Sequence, residues 1–398
     1  MRILHTSDWH LGRTIGGVSR RPDQLAAFED VVAAGRDFRP DLILHSGDLF
    51  DGFRPAVEEM RLAHEMLARL AELAPVVVVA GNHDSGPLFE LFESLLATPR
   101  MRFVPSIKPP RSGGILDFPL PSGEVARVAC LPFLHQNRAV DALEVKAEAR
   151  TMSYADRIGA INAAFSQELE RGYDPTRHVN LLVAHLFVEG ATWSRSERPL
   201  HVSSSYAARL AAVPPVSYAA FGHIHKPQPL PANLPGRYAG SLVPLDFGEE
   251  GETKEVVLVE ARPGRAASVK PVPLRGGRAL LTLEGTQTEL EREDPRDALL
   301  RLVVQTQKPT PDLADWATRT FPQATVLEVT ERCLAARVEL VEEAHEDAFE
   351  TLDEAFRAYL AENGPEDLVG DELLCLFASL HEEGFRAPEL RELEQVLA

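Results

Sequence analysis

Short apolar runs alternate with longer amphipathic stretches along residues 1–260. The runs are Ile3–Leu4, Leu42–Leu44, Val76–Ala80, Val179–Ala184 and Ala219–Phe221. They are aliphatic and β-branched, which suits buried strands. Helical periods lie between the first three. Over 23–38, Leu25, Phe28, Val31, Val32, Gly35 and Phe38 fall on one stripe. Over 56–73, Val57, Met60, His64, Leu67, Leu70 and Leu73 recur at spacings of three and four. Strands alternating with helices predict an α/β architecture. From 255 to about 283 the pattern turns to β: Val256–Glu260, a Pro263-Gly264 turn, Ala267–Leu274, and a break at Gly276-Gly277. A domain of residues 1–276 is therefore expected to end there. Residues 298–306, a helix over 311–321 and residues 324–330 form a strand–helix–strand unit, enough for a small α/β domain over 277–340. From 341 to 398 two helices, 342–362 and 366–384, flank Asn363-Gly364-Pro365, a stop and start signal.

Composition narrows the class. With 44% hydrophobic and 25% charged residues among 398, the chain is neither disordered, collagen-like nor a membrane bundle. The length suggests two or three domains. The chain opens on a strand rather than a basic segment and apolar run, so no signal peptide is expected. The longest apolar stretch, around Pro75–Ala80, is far too short to span a membrane. Three scattered cysteines, Cys130, Cys333 and Cys375, give neither a disulfide framework nor a thiolate metal site. They suit a reducing, cytoplasmic setting. A net charge of -19 first argues against a nucleic-acid partner, because phosphate contacts need Lys and Arg. The charge is uneven, however: residues 341–398 hold 17 acidic and 3 basic side chains, and the remaining chain is near balance. That tail is either a solvated helical face or an element that docks on protein, away from DNA.

The candidate chemistry sits where the apolar runs end. Asp8-Trp9-His10 follows the first, Gly47-Asp48-Leu49-Phe50-Asp51 the second, Gly81-Asn82-His83-Asp84 the third, His185 the fourth, and Gly222-His223-Ile224-His225 the fifth. Ligands collect beyond the carboxyl ends of strands in open α/β sheets. Aspartate, asparagine and histidine together suit divalent manganese, iron, cobalt or zinc. Two such ions about 3.5–4 Å apart need a bridging carboxylate and several terminal ligands. Residues two apart, as in Asp8/His10 and His223/His225, share a side of an extended exit and can grip one ion. Each cluster alone is unspecific; the ordered set at successive strand exits is specific. No P-loop occurs, so any ATP dependence must come from a partner, and His64-Glu65 lacks the second histidine of a zincin.

The set resembles the calcineurin-like binuclear metallophosphoesterases. The words Thr6-Ser-Asp-Trp-His-Leu-Gly12, Ser46-Gly-Asp-Leu-Phe-Asp51, Ala80-Gly-Asn-His-Asp-Ser85, Phe221-Gly-His-Ile-His225 and Tyr238-Ala-Gly-Ser-Leu-Val-Pro-Leu245 resemble those of the SbcD family, nuclease subunits of the bacterial SbcCD complex. These motifs cover residues 1–250. The resemblance implies a two-sheet β-sandwich flanked by helices, a small α/β capping domain for DNA and C-terminal helices. It implies two divalent ions, most readily manganese. Asp8, His10, Asp48 and His225 would hold one, and Asp48, Asn82, His185 and His223 the other. His83 would face the scissile phosphate and help protonate the leaving oxygen, with Asp51 or Asp84 orienting its ring. For Asp51 a loop-capping role is the alternative.

Loop residues Arg13, Arg20, Arg21, Arg54, Arg195 and Lys226 are candidates for DNA backbone contact, or ordinary surface cations. The resemblance further implies a homodimer through helices 56–73 and 88–96, unless these simply pack on the sheet, and docking of 341–398 on the coiled-coil base of an SbcC-type ATPase. The expected function is thus a manganese-dependent DNA nuclease, exonucleolytic on duplex ends and endonucleolytic on single strands or hairpins, acting in repair, recombination and replication at the nucleoid. Two other readings compete: a small-molecule or cyclic-nucleotide phosphodiesterase on the same core, and a non-catalytic scaffold for the ATPase.

Overall fold

The computed structural model describes residues 1–135, 153–194, 207–209 and 214–333. Residues 1–305 and 311–332 form one compact unit. A second unit comprises 306–310 and 333–398; the two helices expected in 341–398 lie outside the described residues.

Two six-stranded sheets carry the first unit. The first runs, edge to edge, Ser268–Pro273, Glu255–Glu260, Arg2–Thr6, Leu42–His45, Val76–Val79 and Met101–Val104. Its last four strands are parallel, and the first two pair antiparallel. The second sheet runs Gln228–Pro229, Gly236–Tyr238, Tyr218–Gly222, His178–His185, Val125–Leu131 and Ile115–Pro119. Its four central strands are parallel. Side chains alternate across a strand, so each strand feeds two cores. Ile3, Leu42, Leu44, Val77 and Val79 meet Val128, Cys130, Val179, Leu181 and Val183 between the sheets. Leu4, Ile43, Val76 and Val78 face α1 (Arg21–Phe38), α2 (Val57–Leu73) and α3 (Gly86–Leu96) on the outside of the first sheet. Leu131, Leu182, Ala184 and Phe221 face α4 (Tyr154–Glu170) on the outside of the second. These apolar runs are doubly buried, which is why they read as unbroken rather than alternating. His5 links the sheets, its Nδ1 2.9 Å from Tyr218 Oη and its Nε2 2.8 Å from Ser46 Oγ. Burial pushes its pKa down to about 3, so the ring is neutral there.

Arg127 hides the strand Val125–Leu131 from a reading by apolar runs. Its guanidinium leaves the sheet to cap the end of α4, bonding the carbonyls of Leu169 at 2.6 Å and Glu168 at 2.9 Å.

A third, three-stranded sheet (Leu280–Gly285, Leu299–Thr306, Thr325–Cys333) carries α5 (Gln287–Leu290) and α6 (Leu313–Thr320). Leu300, Leu302, Val304, Leu313, Ala317 and Phe321 make its own core. Its lead-in is pinned to α1. Gly276 lies so close that a Cβ would stand 2.2 Å from the Ala26 carbonyl carbon. Asp30 accepts from the N–H groups of Arg275 and Gly276 at 2.6 and 2.8 Å. Asp23 takes a two-pronged bond from Arg278, at 2.9 and 2.8 Å, and pairs with Arg20 at 2.9 Å. Arg20 and Asp23 are buried. Removing one partner of a buried pair strands the other charge, so Asp23→Ala is expected to destabilise the unit by about 3 kcal/mol. A thermal melt checks this; an unchanged midpoint contradicts it.

Candidate metal centre

Every motif sits at the exit of a parallel strand. Asp8 and His10 follow Arg2–Thr6, Asp48 and Asp51 follow Leu42–His45, and Asn82, His83 and Asp84 follow Val76–Val79. His185 ends its strand in the second sheet, and His223 and His225 follow the neighbouring one. The loops are stitched by backbone bonds, from Asp8 N to Gly47 O at 3.0 Å, His10 N to Asp48 O at 3.1 Å and Leu11 N to Leu49 O at 3.0 Å. Asp8, His10, Asp48 and His223 all have positive φ, at 50, 47, 51 and 96°. This left-handed backbone turns each side chain inward at a cost of order 1–3 kcal/mol per residue. Trp9, between two ligands, is an anchor: buried, it bonds Thr6 Oγ1 at 2.9 Å and stacks edge-on against Phe28 and His45.

Three groups of ligand-type atoms form, each with its atoms within 4.8 Å of one another: Asp8, His10 and His225; Asp48, His185 and His223; and His10, Asp48 and His83. Asp48, a member of the second, also reaches His10 of the first. Its Oδ2 lies 3.5 Å from His10 Nε2 and 3.3 Å from His185 Nε2, and its Oδ1 accepts the His83 backbone N–H at 2.8 Å. Asn82 Oδ1 completes the second group, 2.9 Å from His185 Nε2 and 2.7 Å from His223 Nδ1. All seven expected ligands thus come together in two groups joined through His10 and Asp48.

The donor set fits divalent cations. His185 Nδ1 lies 2.8 Å from the Ser46 carbonyl, which only accepts, so Nδ1 carries the hydrogen. A neutral His185 then aims its Nε2 lone pair at a carboxylate oxygen, an amide oxygen and His223 Nδ1, 3.3 Å away. Such converging lone pairs repel unless a cation lies among them. His10 Nε2 is likewise buried without a hydrogen-bond partner, beside Asp48. In the metal-free state burial would lower the His185 pKa, but the charges of Asp48 and Asp8 outweigh it and hold it at about 9. Burial opposes ionisation of Asp48, yet His185, His83 and His10 keep its carboxyl well below the usual range. For Asp8 burial dominates and raises the pKa to about 6.

Gly81 makes room for the shared carboxylate: a Cβ there would stand 2.1 Å from Asp48 Oδ1. Gly81→Ala is expected to displace Asp48 and empty the centre while leaving the sheets folded. Metal content after dialysis, beside a circular-dichroism spectrum, checks this; full metal content contradicts it.

His83 is half-buried at the edge, its ring 4.8 Å from that of His10. Its Nδ1 lies 2.8 Å from the Asp51 carbonyl oxygen, so the ring is oriented by main chain. The Asp51 carboxylate faces His10 Nδ1 at 3.3 Å and Arg13 at 3.6 Å. Asp84 braces the loops, accepting from the N–H groups of Leu49, Phe50 and Gly81 at 3.2, 3.0 and 2.8 Å. Burial and the charge of Asp48 raise its pKa to about 7 against those donors.

The basic candidates divide. Arg20 is fully buried in its pair with Asp23 and bonds the Arg278 carbonyl, so it is withdrawn from any phosphate. Arg13 is engaged by Asp51 and by the Leu245 carbonyl at 2.9 Å. Arg21, Arg54 and Lys226 are exposed. Arg195 lies outside the described residues.

Supporting residues carried no signal in the motifs. Gln24 Nε2 donates to the carbonyls of Trp9 and His10, at 2.8 and 2.7 Å, and so holds the first loop from α1. Glu249 Oε1 lies 2.8 Å from His225 Nδ1, and Lys254 Nζ lies 2.6 Å from Glu249 Oε2. Burial opposes ionisation of Glu249, but Lys254 and His225 hold its pKa far below the ordinary value. A glutamate in a run of acidic residues after Phe247 carries no period or spacing that marks it; only the three-dimensional return to His225 does.

No helix among the described residues is long and apolar enough to cross a membrane. The family model of the calcineurin-like phosphoesterases matches residues 1–227. Curated relatives include the SbcD component of nuclease SbcCD from Bacillus subtilis (strain 168), 31% identical over 288 residues, which cover 71% of each chain. Its counterpart from Rhodobacter capsulatus is 31% identical over 298 residues, covering 72% of this chain and 73% of the relative. That of Escherichia coli K12 is 30% identical over 293 residues, covering 72% and 71%. With its motifs gathered at one end of two facing sheets, the chain is a calcineurin-like phosphoesterase and belongs to the SbcD family of SbcCD nuclease components.

Proposed function

We propose that the chain is a manganese-dependent DNA nuclease that cleaves phosphodiesters at a two-metal centre, trimming duplex ends and cutting single strands or hairpins. One observation carries the reading: Asp48 gathers with His185 and His223 on one side and with His10 and His83 on the other, beside the group of Asp8, His10 and His225. Asp8, His10, Asp48 and His225 would hold one ion, and Asp48, Asn82, His185 and His223 the other. The ions would supply Lewis acidity that activates water and offsets phosphate charge. Asp8 and Asp48 bring two negative charges against four positive, so the centre attracts a phosphodiester in an acidic chain. His83 is aimed by the Asp51 carbonyl at its Nδ1, which leaves Nε2 to stabilise the departing oxygen and return a proton to it.

The wider assembly follows the names of the relatives. Residues 277–340 cap the DNA path, with Arg21, Arg54 and Lys226 as candidate phosphate contacts. The acidic segment 341–398 docks on an SbcC-type ATPase. Exposure of Val57, Leu91 and Leu95 on α2 and α3, and of Phe53 in the loop before α2, supports a homodimer through those helices. The setting is the cytoplasm, at the nucleoid, in repair, recombination and replication.

The test offers purified protein and manganese two substrates, a labelled DNA hairpin and a chromogenic phosphodiester. Hairpin cleavage supports the nuclease. Cleavage of the chromogen alone overturns it in favour of a small-molecule phosphodiesterase, and no cleavage of either favours the scaffold.

A further inference from the structure

Glu249 is a fully buried carboxylate that no motif marked, and its surroundings are unusually complete. Oε1 lies 2.8 Å from His225 Nδ1. Oε2 accepts from Lys254 Nζ at 2.6 Å, the Leu245 N–H at 3.1 Å and Ser241 Oγ at 3.3 Å. Lys254, buried as well, also donates to the His225 carbonyl at 2.9 Å and to Glu252 at 2.9 Å. One ion pair therefore holds both the ring and the main chain of His225. Burying an ammonium and a carboxylate costs several kcal/mol in desolvation, so hydrophobic residues of the same volume would serve packing better.

The ionised carboxylate can only accept, so Nδ1 of His225 carries the hydrogen and Nε2 is left to face Asp8 and His10. A carboxylate behind an imidazole also makes the coordinating nitrogen more basic. His10 has the same support from Asp51, 3.3 Å from its Nδ1. His185, in the other group, rests on the neutral carbonyl of Ser46. Charged support from behind thus falls on both histidines of the Asp8, His10 and His225 group. His185 has a neutral carbonyl behind it instead.

We infer that Glu249, clamped by Lys254, is a positioning residue that fixes the His225 tautomer and makes the Asp8–His10–His225 position the tighter of the two metal positions. The inference rests on the ligand assignment proposed above. Manganese titration of the full chain, followed by calorimetry and by the electron paramagnetic resonance of free and bound ion, is expected to show two steps. In Glu249→Gln the tight step weakens by about 10–100-fold while the weak step is unchanged. The double variant Glu249→Ala with Lys254→Met leaves no stranded charge and is expected to show the same selective loss, with its metal-free melt reporting folding. Equal weakening of both steps, or a tight step unchanged in both variants, overturns the role of Glu249 and leaves the metal centre standing. Wild-type protein that takes up no manganese overturns the ligand assignment and this role together.

Discussion

Asp48→Ala is expected to strip both ions from the protein and to lower hydrolysis by more than about 10³-fold. Asp48 is the one side chain in both of the groups that also hold His10 and His185. Its removal takes a negative charge from between four histidines and leaves Asp8 as the remaining carboxylate ligand. The loss differs in kind from loss of a terminal ligand such as His223, which would spare the Asp8–His10–His225 group. Metal content per chain and the rate on a DNA hairpin are the paired measurements. A variant that keeps its metal shows that Asp48 does not bridge, whatever its rate.

His83→Ala is expected to do the opposite to the metal and nearly as much to the rate. Its ring sits at the rim, held by main chain, so its loss leaves the ligands of both groups in place. Turnover should fall about 10²–10⁴-fold, the usual contribution of a positioned acid or base. The leaving group sharpens the test. A DNA alkoxide needs a proton as it departs, whereas a nitrophenolate does not. The defect should therefore be much larger on DNA than on a chromogenic ester. An equal defect on both substrates assigns His83 to charge stabilisation alone, and a full rate on DNA removes it from the mechanism.

The strands that carry the motifs and helices α1 and α2 were legible because parallel strands buried on both faces leave apolar runs, as in Val76–Val79 and Leu181–Ala184, whereas the two-sheet arrangement rested on the family resemblance and α4 was not marked. Polar clusters at the ends of such runs can be seen without a structure, and seven of their side chains do come together. Strands with a charged residue working elsewhere were hidden: Arg127 serves the end of α4 and breaks the run from Val125 to Leu131. Exposure was legible poorly. Arg20 sits on a predicted loop beside a motif, yet it is consumed by Asp23, three residues on in α1, and by the carbonyl of Arg278, which the lead-in to the third sheet brings to it. The roles of Asp51 and Asp84 exchange the expected ring contact for other work, because sequence places a carboxylate near a histidine without saying whether its side chain or its carbonyl arrives first. Glu249 and Gln24 were invisible for the same reason, each reaching the centre from a distant part of the chain.

The left-handed backbone at Asp8, His10, Asp48 and His223 limits how this protein can change over evolution or in the hands of an engineer. Strain at such positions is ordinarily relieved by glycine or asparagine, and that is among the simplest routes to a more robust fold. Here the route is closed, since glycine brings no donor and asparagine only a neutral amide oxygen, which supplies neither the charge of a carboxylate nor the nitrogen of an imidazole. Added heat tolerance therefore has to come from the cores and from helix α1, and variants selected for stability should accumulate substitutions there while these four loop positions stay fixed.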